Sequence, residues 1–400
     1  MKTGPKSQHT LFPEECLLRE IARQPRLNIG IPKENSDIET RLTLTPEGVS
    51  ILTEEGHNVL IQRGAGNPLS YSDLQYSEAG GIVVDDITEV FNADIILKIT
   101  PPTIAELGLM RDRTTIFSML QLTNLTKESI ALMLKKNLNV FGYELIKNEQ
   151  RTYPVLSSVA EIEGNTAIAL VSELMSIERG GKGIMLGNVS GISPTEIIIL
   201  GAGSAGDVAI RTANSLGACV KVFDQNISKL RKIQQLYGQH IFTSVLHPNV
   251  LYKSFKTADA VIGNLRYING SDSFQVSEDL VKTMKPGSII VDISIDQGGC
   301  FETSECMTLK NPMYIKHDVI HYCIPNISAR VARTTSMALS NILTPLLLRI
   351  ANSGSVDSAV VESQGFRNGA YIYGGILVNR HIGNYFGLPH NDISLLLARF

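Results

Sequence analysis

Hydrophobic positions along the chain fall into short unbroken runs, separated by segments with apolar residues at helical spacing. The runs Asn28–Ile31 (NIGI), 57–62 (HNVLIQ), 94–99 (DIILKI), 114–119 and 139–143 read as strands. Between them, residues 46–55 and a stretch near 71–79 read as helices, with a further helix before 139. Continuous apolar runs are what strands covered on both faces require, and regular alternation with helices predicts a parallel, doubly wound sheet.

The pattern then repeats. Residues 151–163 read as a loop running into a helix that continues toward 177, followed by a glycine-rich, hinge-like stretch at 179–191 (RGGKGIMLGNVSG). A second α/β series follows, with strand-like Glu196–Leu200 (EIIIL), 218–223 (ACVKVF), 259–263 (DAVIG) and 288–293 (SIIVDI). A long apolar-faced helix is expected over 329–352, and the remainder holds tyrosine, glycine and a few short helical patterns. Residues 1–26 read as an extension carrying no visible chemistry, with a short amphipathic helix over 12–23 as a surface or packing segment. At 400 residues, two domains are the natural expectation.

The strongest local signal opens the second series. Glu196–Leu200 runs directly into Gly201-Ala202-Gly203-Ser204-Ala205-Gly206, then a helical segment, then a strand ending in Asp224. In this βαβ fingerprint the first glycine permits the tight turn, the second lets backbone approach a pyrophosphate, and the third lets helix pack on strand. The pyrophosphate would rest on the helix N-terminus, where free N–H groups and the dipole favour negative charge. Asp224 is placed to bind the ribose hydroxyls and to repel a 2′-phosphate, so NAD is expected over NADP. Ser204 is a candidate phosphate donor and Lys229 a candidate neighbour of the adenosine; a small packing residue and a solvated lysine are the plain alternatives.

Composition narrows the class. A formal net charge of −3 gives no reason to expect a nucleic-acid partner or an anionic membrane surface. Five cysteines, odd in number and without a CxxC pair, argue against a disulfide framework and against a zinc site; no metal is expected. The first residues lack the apolar core of a signal peptide, and the apolar stretch near 337–350 is interrupted by Ser340, Asn341 and Pro345. A cytoplasmic protein follows as the expectation.

Ligands in such sheets bind at the carboxyl ends of strands. That places Leu265 and the run from Ile293 to Asp296 against the cofactor. Asp296, followed by Gln297, Gly298 and Gly299, is a better candidate for chemistry than Asp292, which lies within the apolar strand; capping of the loop is the alternative role for Asp296.

The blocks IGIPKE, ETRLTLTPEGV, IILK, VDISIDQGGCFETS and HYCIPNISARVARTTSMALSN, in this order and spacing, resemble the alanine dehydrogenase family, which is related to the transhydrogenase α chain. The similarity spans about residues 28–352. The resemblance implies a Rossmann NAD domain (156–333) inserted into a discontinuous substrate domain (27–155 and 334–400), with the substrate cleft between them. It implies NAD-dependent oxidation of L-alanine to pyruvate and ammonium, and a homo-oligomer, usually a hexamer. It matches Arg41 to the arginine that grips the substrate carboxylate, Asp296 to the aspartate near the amine and nicotinamide, and Asn326 to the asparagine that contacts substrate and cofactor.

Several positions depart from the family. Lys98 matches the first, structural lysine of its motif, but the second lysine is Thr100 here. The catalytic histidine is Gln121, which can donate or accept a hydrogen bond but cannot exchange protons near neutral pH. Val159 and Ala160 stand where methionine and serine face the nicotinamide, while Glu161 is retained. The expectation is therefore an NAD-dependent amino-acid dehydrogenase acting on L-alanine. The alternatives are the same frame with another 2-oxo or 2-amino acid, or an NAD(H)-binding protein without catalysis.

Overall fold

The computed structural model describes residues 26–120, 125–238, 241–265 and 274–398. Most of the N-terminal extension and Gln121 lie outside the described residues.

The first sheet is built from β1 (Asn28–Ile31), β2 (Asn58–Gln62), β3 (Ile82–Val84), β4 (Ile95–Leu97), β5 (Thr115–Ser118) and β6 (Asn139–Gly142). The second is built from β7 (Glu196–Leu200), β8 (Cys219–Phe223), β9 (Phe242–Ser244), β10 (Ala260–Gly263), β11 (Ile289–Asp292), β12 (Met313–Lys316) and β13 (Val319–Tyr322). Near the chain end β14 (Ala370–Tyr373) and β15 (Ile376–Leu377) return to the first sheet. The strand orders are β15-β14-β6-β5-β4-β1-β2-β3 and β12-β13-β11-β10-β7-β8-β9. Within each, the six strands from β3 to β6 and from β9 to β13 pair in parallel; β14, β15 and β12 are antiparallel additions at the edge.

Both sheets thus reverse winding direction between their first and fourth strands, β1/β4 and β7/β10, which opens a crevice above the strand ends. The apolar runs form because both faces are covered: β4, β5, β10 and β11 are buried at every residue. The second domain is inserted in the first, as the antiparallel addition of β14 to β6 requires the chain to return.

Two long helices carry the crossings. Helix α1 (Pro154–Leu174), begun by proline at its first turn, leads into the second sheet, and α3 (Ala332–Asn352) leads back. Gly164 lets α1 press on α2 (Ser204–Ser215): a Cβ there would collide with Ala205 O and come 2.8 Å from Val208. Helix α3 also anchors the loop after β1. Its Ser336 hydroxyl accepts from Leu42 N at 2.8 Å and Ser340 from Thr45 N at 3.2 Å, tying that loop to a rigid element.

Candidate active site

The glycine turn shows different constraints at its three positions. Gly201 has φ +102°, and a Cβ there would collide with Asn264 O. A Cβ on Gly206 would collide with Gly201 O. At Gly203, by contrast, the nearest protein atom to an added Cβ is Asn264 Nδ2 at 3.5 Å. Packing explains the first and third glycines but not the second, and the space it leaves lies at the N-terminus of α2, which Gly203 precedes as N-cap. This cradle fits a dinucleotide pyrophosphate.

Asp224, at the tip of β8, is buried and accepts from Ala202 N at 2.8 Å through Oδ2 and from Asn226 N at 2.7 Å through Oδ1. The acid is locked to the glycine turn itself. Lys229 Nζ lies 3.7 Å from Oδ2, so it is a neighbour of this carboxylate. Ser204 is exposed at the start of α2. Leu265 follows β10, with its N–H donating to Cys300 Sγ at 3.3 Å. Asp292 ends β11 and serves the backbone: it accepts from Ser294 N, Cys300 N and Ser304 Oγ at 3.0, 2.7 and 2.6 Å. It holds the loop on which Asp296 stands, in the single turn Ile295–Gln297, with left-handed Gly298 and Gly299 behind it.

Across the crevice, Arg41 is buried against Glu39. Nε and Nη2 donate to Oε1 and Oε2 at 2.7 and 2.6 Å, and Nη1 donates to Ser328 Oγ at 3.0 Å. Burial alone would lower its proton affinity, but the adjoining Glu39 carboxylate outweighs this, with smaller contributions from Tyr143 and Glu163, so the guanidinium stays charged. Asn326 Nδ2 reaches Glu39 Oε2 at 3.4 Å, and Thr40 Oγ1 donates to Ala329 O at 2.9 Å. Glu39 was not singled out from sequence, although it stands two residues before the arginine it orients.

These groups line one cavity of about 150 Å³. Arg41, Met119 and Glu144 come from the first domain; Leu156, Val159 and Glu163 from α1; Ile293, Asp296 and Gln297 from the second domain; and Pro325 and Asn326 from the return crossing. Larger hollows lie elsewhere, but one on the surface beside residues 248–280 and one beside 147–151 and 363–368 gather residues from a single domain. The interdomain cleft joins Arg41, Asn326, Ile293 and Asp296 in one space.

The departures from the family pattern are resolved differently. Thr100 is committed to Glu34, its hydroxyl donating at 2.6 Å. Lys98 is buried between Glu106 at 2.6 Å and Glu34 at 3.7 Å, a structural triad, and burial raises the Glu34 pKa. Val159 faces the cleft while Ala160 is buried outside its lining, and Glu161 is exposed and pairs with Arg211 at 3.2 Å.

Two lining acids, Glu163 and Glu144, are not announced by the sequence. Glu144, just after β6, accepts from Tyr371 OH at 3.0 Å and Leu120 N at 3.3 Å through Oε1, and burial pushes its pKa up to about 7. Its partner Tyr371 comes from β14, 227 residues along the chain, so nothing local announces the site.

Comparison with known proteins supports the same frame. Residues 30–163 match the family described as alanine dehydrogenase/PNT, N-terminal domain, and residues 167–380 its C-terminal domain. The chain is 34% identical over 370 residues to an alanine dehydrogenase of Staphylococcus saprophyticus, covering 92% of this chain and 99% of the relative. It is 34% identical over 369 residues to alanine dehydrogenase 2 of Staphylococcus aureus, with the same coverage. Among solved structures, an L-alanine dehydrogenase superposes with a TM-score of 0.82 at 30% identity, covering 90% of this chain and 99% of that one. A transhydrogenase from Sinorhizobium meliloti has a TM-score of 0.73 at 24% identity, covering 88% and 99%, a likeness of fold. No helix among the described residues is long and apolar enough to cross a membrane.

Proposed function

The chain belongs to the alanine dehydrogenase/PNT family, and from that premise we propose that it is an NAD-dependent dehydrogenase converting L-alanine and water to pyruvate and ammonium. The observation that carries this reading is the buried Arg41 guanidinium in a cleft whose opposite wall holds Asp296. Glu39 occupies the Nε edge of the guanidinium and fixes its plane. The remaining N–H groups on Nη1 and Nη2 then hold the substrate carboxylate, a geometry a planar fork suits. Asp296 stabilises the substrate ammonium and the iminium that replaces it, and Asn326 donates to substrate from the crossing segment. Bound NAD supplies the hydride acceptor for the substrate Cα. Gly203, Ser204 and the start of α2 hold its pyrophosphate, and Asp224 its ribose, with Lys229, Leu265 and Ile293 alongside.

In this reading the substrate domain comprises 27–155 and 334–400 and the NAD domain 156–333. The protein works as a cytoplasmic homo-oligomer, the hexamer implied by the resemblance, which a mass measurement in solution tests. A changed 2-oxo or 2-amino acid is the second reading. It draws on Thr100, whose hydroxyl is spent on Glu34, and on Glu163 in the cleft wall.

The test is NADH oxidation by purified protein with pyruvate and ammonium, alongside NADH binding by fluorescence. Turnover that disappears in Asp296→Ala and loses pyruvate saturation in Arg41→Ala is expected. Firm NADH binding with no turnover on pyruvate sinks the alanine reading and directs the search to other 2-oxo acids.

A further inference from the structure

Resting on the reading that this cleft deaminates a 2-amino acid, we propose that Glu144 exchanges protons with the substrate nitrogen and the attacking water during hydrolysis of the imine. Glu144 is one of the residues that line the cleft, together with Arg41 and Met119. One oxygen is committed: Oε1 accepts from Tyr371 OH and Leu120 N. The other, Oε2, is buried and has no hydrogen-bond partner among the described residues. A buried carboxyl oxygen left without a protein partner costs free energy unless something else meets it. Water or a substrate nitrogen in the adjoining cavity meets that need.

The placement is enforced by the fold. Gly142 lies under the carboxyl group; a Cβ there would collide with the Tyr371 ring and stand 2.8 and 2.9 Å from the two Glu144 oxygens. The Tyr371 hydroxyl also stands 3.1 Å from Leu120 O, so its single proton is shared between that carbonyl and Glu144 Oε1, and the tyrosine holds the carboxyl beside Leu120.

The other groups around the cleft do other work. Arg41 is held charged by Glu39. Burial raises Tyr143 and Tyr371 well above the neutral range, leaving them as hydrogen-bond donors. The Glu163 carboxylate favours the charged form of Arg41, and Asp296 is assigned above to the substrate ammonium. Asn326 and Gln297 are amides, which do not exchange protons near neutrality. Glu144 is held by burial at a pKa of about 7, where a group that must both take and return a proton is most effective.

The chemistry balances as follows. With the substrate oxidised to its iminium, water adds to the former Cα: a C–O bond forms, the C=N π pair moves to nitrogen, and one water proton passes to Glu144 Oε2. The resulting acid returns that proton to nitrogen. The C–N bond then breaks with its pair leaving on ammonia, the hydroxyl proton passes to Glu144, and the carbonyl forms. That proton converts the departing ammonia to ammonium.

The test compares wild type, Glu144→Gln and Tyr371→Phe. Glu144→Gln keeps the Oε1 acceptor but cannot exchange protons; turnover of pyruvate and ammonium is expected to fall by about 10²–10⁴-fold with NADH binding unchanged. The ionisation near neutrality should vanish from its pH–rate profile, and Tyr371→Phe, which removes a hydrogen bond to the charged form, should shift that ionisation upward. A Glu144→Gln enzyme with wild-type rate and profile overturns the proposal. The infrared carboxyl C=O stretch of the protein without substrate gives a reading independent of turnover. A band that titrates near neutrality and is missing in Glu144→Gln supports it; a Glu144 already ionised well below neutrality overturns it. Wild type inactive on pyruvate, with the band present, rejects the alanine substrate and keeps the proton-exchanging carboxyl.

Discussion

Glu39 and Arg41, two residues apart in the loop after β1, close a two-pronged ion pair with both side chains almost wholly buried, Nε to Oε1 at 2.7 Å and Nη2 to Oε2 at 2.6 Å. The pairing decides how the cleft meets an anion. It cancels the guanidinium charge, so a bound carboxylate is gripped by directed N–H groups more than by a free field. It also ties the clamp to the return crossing, since Asn326 bonds Glu39 and Ser328 bonds Arg41. Clamp and crossing therefore move together.

Glu39→Gln is expected to lower stability by about 3–5 kcal/mol, the usual result of leaving one partner of a buried ion pair uncompensated. Denaturant unfolding measures it. Arg41→Lys preserves a charge but not the fork, and should raise KM for pyruvate with a smaller change in kcat, because a carboxylate contact made in both ground and transition states is lost. A kcat loss with KM unchanged would assign Arg41 to the chemical step instead.

Gly203→Ala and Gly206→Ala should separate ligand from fold. At Gly203 an added methyl meets no atom of the described residues closer than 3.5 Å, chain neighbours aside, so unfolding stability should change by less than about 1 kcal/mol while NADH binding weakens. At Gly206 the methyl collides with Gly201 O, and a loss of about 1–3 kcal/mol is expected. Equal losses of stability in the two variants would show that Gly203 is needed for packing after all.

How much of this was legible beforehand follows from what the residues report locally. Strands buried on both faces announce themselves as apolar runs, and β1 and β7 occupy the residues their runs predict. Short edge strands do not. In the β12–β13 hairpin, Lys316 pairs with Val319 around His317 and Asp318, both at positive φ, where Asn-Gly or Gly-Gly is the usual signal. The Gly374-Gly375 turn between β14 and β15 does carry that signal, but the strands it joins, four and two residues long, are too short to show an alternation of their own. The long helix starts at Ala332 and not 329, because residues Ile327–Val331 tighten into a 3₁₀ turn. The cofactor turn is readable because its three glycines and its acid lie within 24 residues, from Gly201 to Asp224; Glu144 depends on Tyr371, and no periodicity connects them.

Asp224→Asn tests the cofactor preference. The amide keeps the shape but loses the charge that repels a 2′-phosphate, and its NH₂ cannot accept from Ala202 N or Asn226 N. Loss of one hydrogen bond to a charged group is worth about 1.5–3 kcal/mol of stability, here in the glycine turn, and the loosened turn should bind NADH more weakly. The NADH-to-NADPH affinity ratio, measured by fluorescence, should fall further than NADH affinity alone explains. An unchanged ratio would remove Asp224 as the discriminating group and leave it as a brace for the glycine turn.

The pH dependence of stability provides a check on Glu144 that needs no substrate. Burial raises its pKa from 4.5 to about 7, so between these values the folded protein holds a proton that the unfolded chain has released. Where the native state binds more protons, stability falls as pH rises. Wild type should therefore lose stability from about pH 4.5 up to about 7, by an amount of order 3 kcal/mol if Glu144 acted alone, with no further loss from this group above that range. Glu144→Gln, neutral in both states, should remove this part of the slope and be relatively more stable than wild type on the alkaline side. Guanidinium titrations on the two proteins across that range decide it: parallel curves would mean that Glu144 is ionised in the fold at acidic pH, and that the Tyr371 and Leu120 hydrogen bonds outweigh its burial.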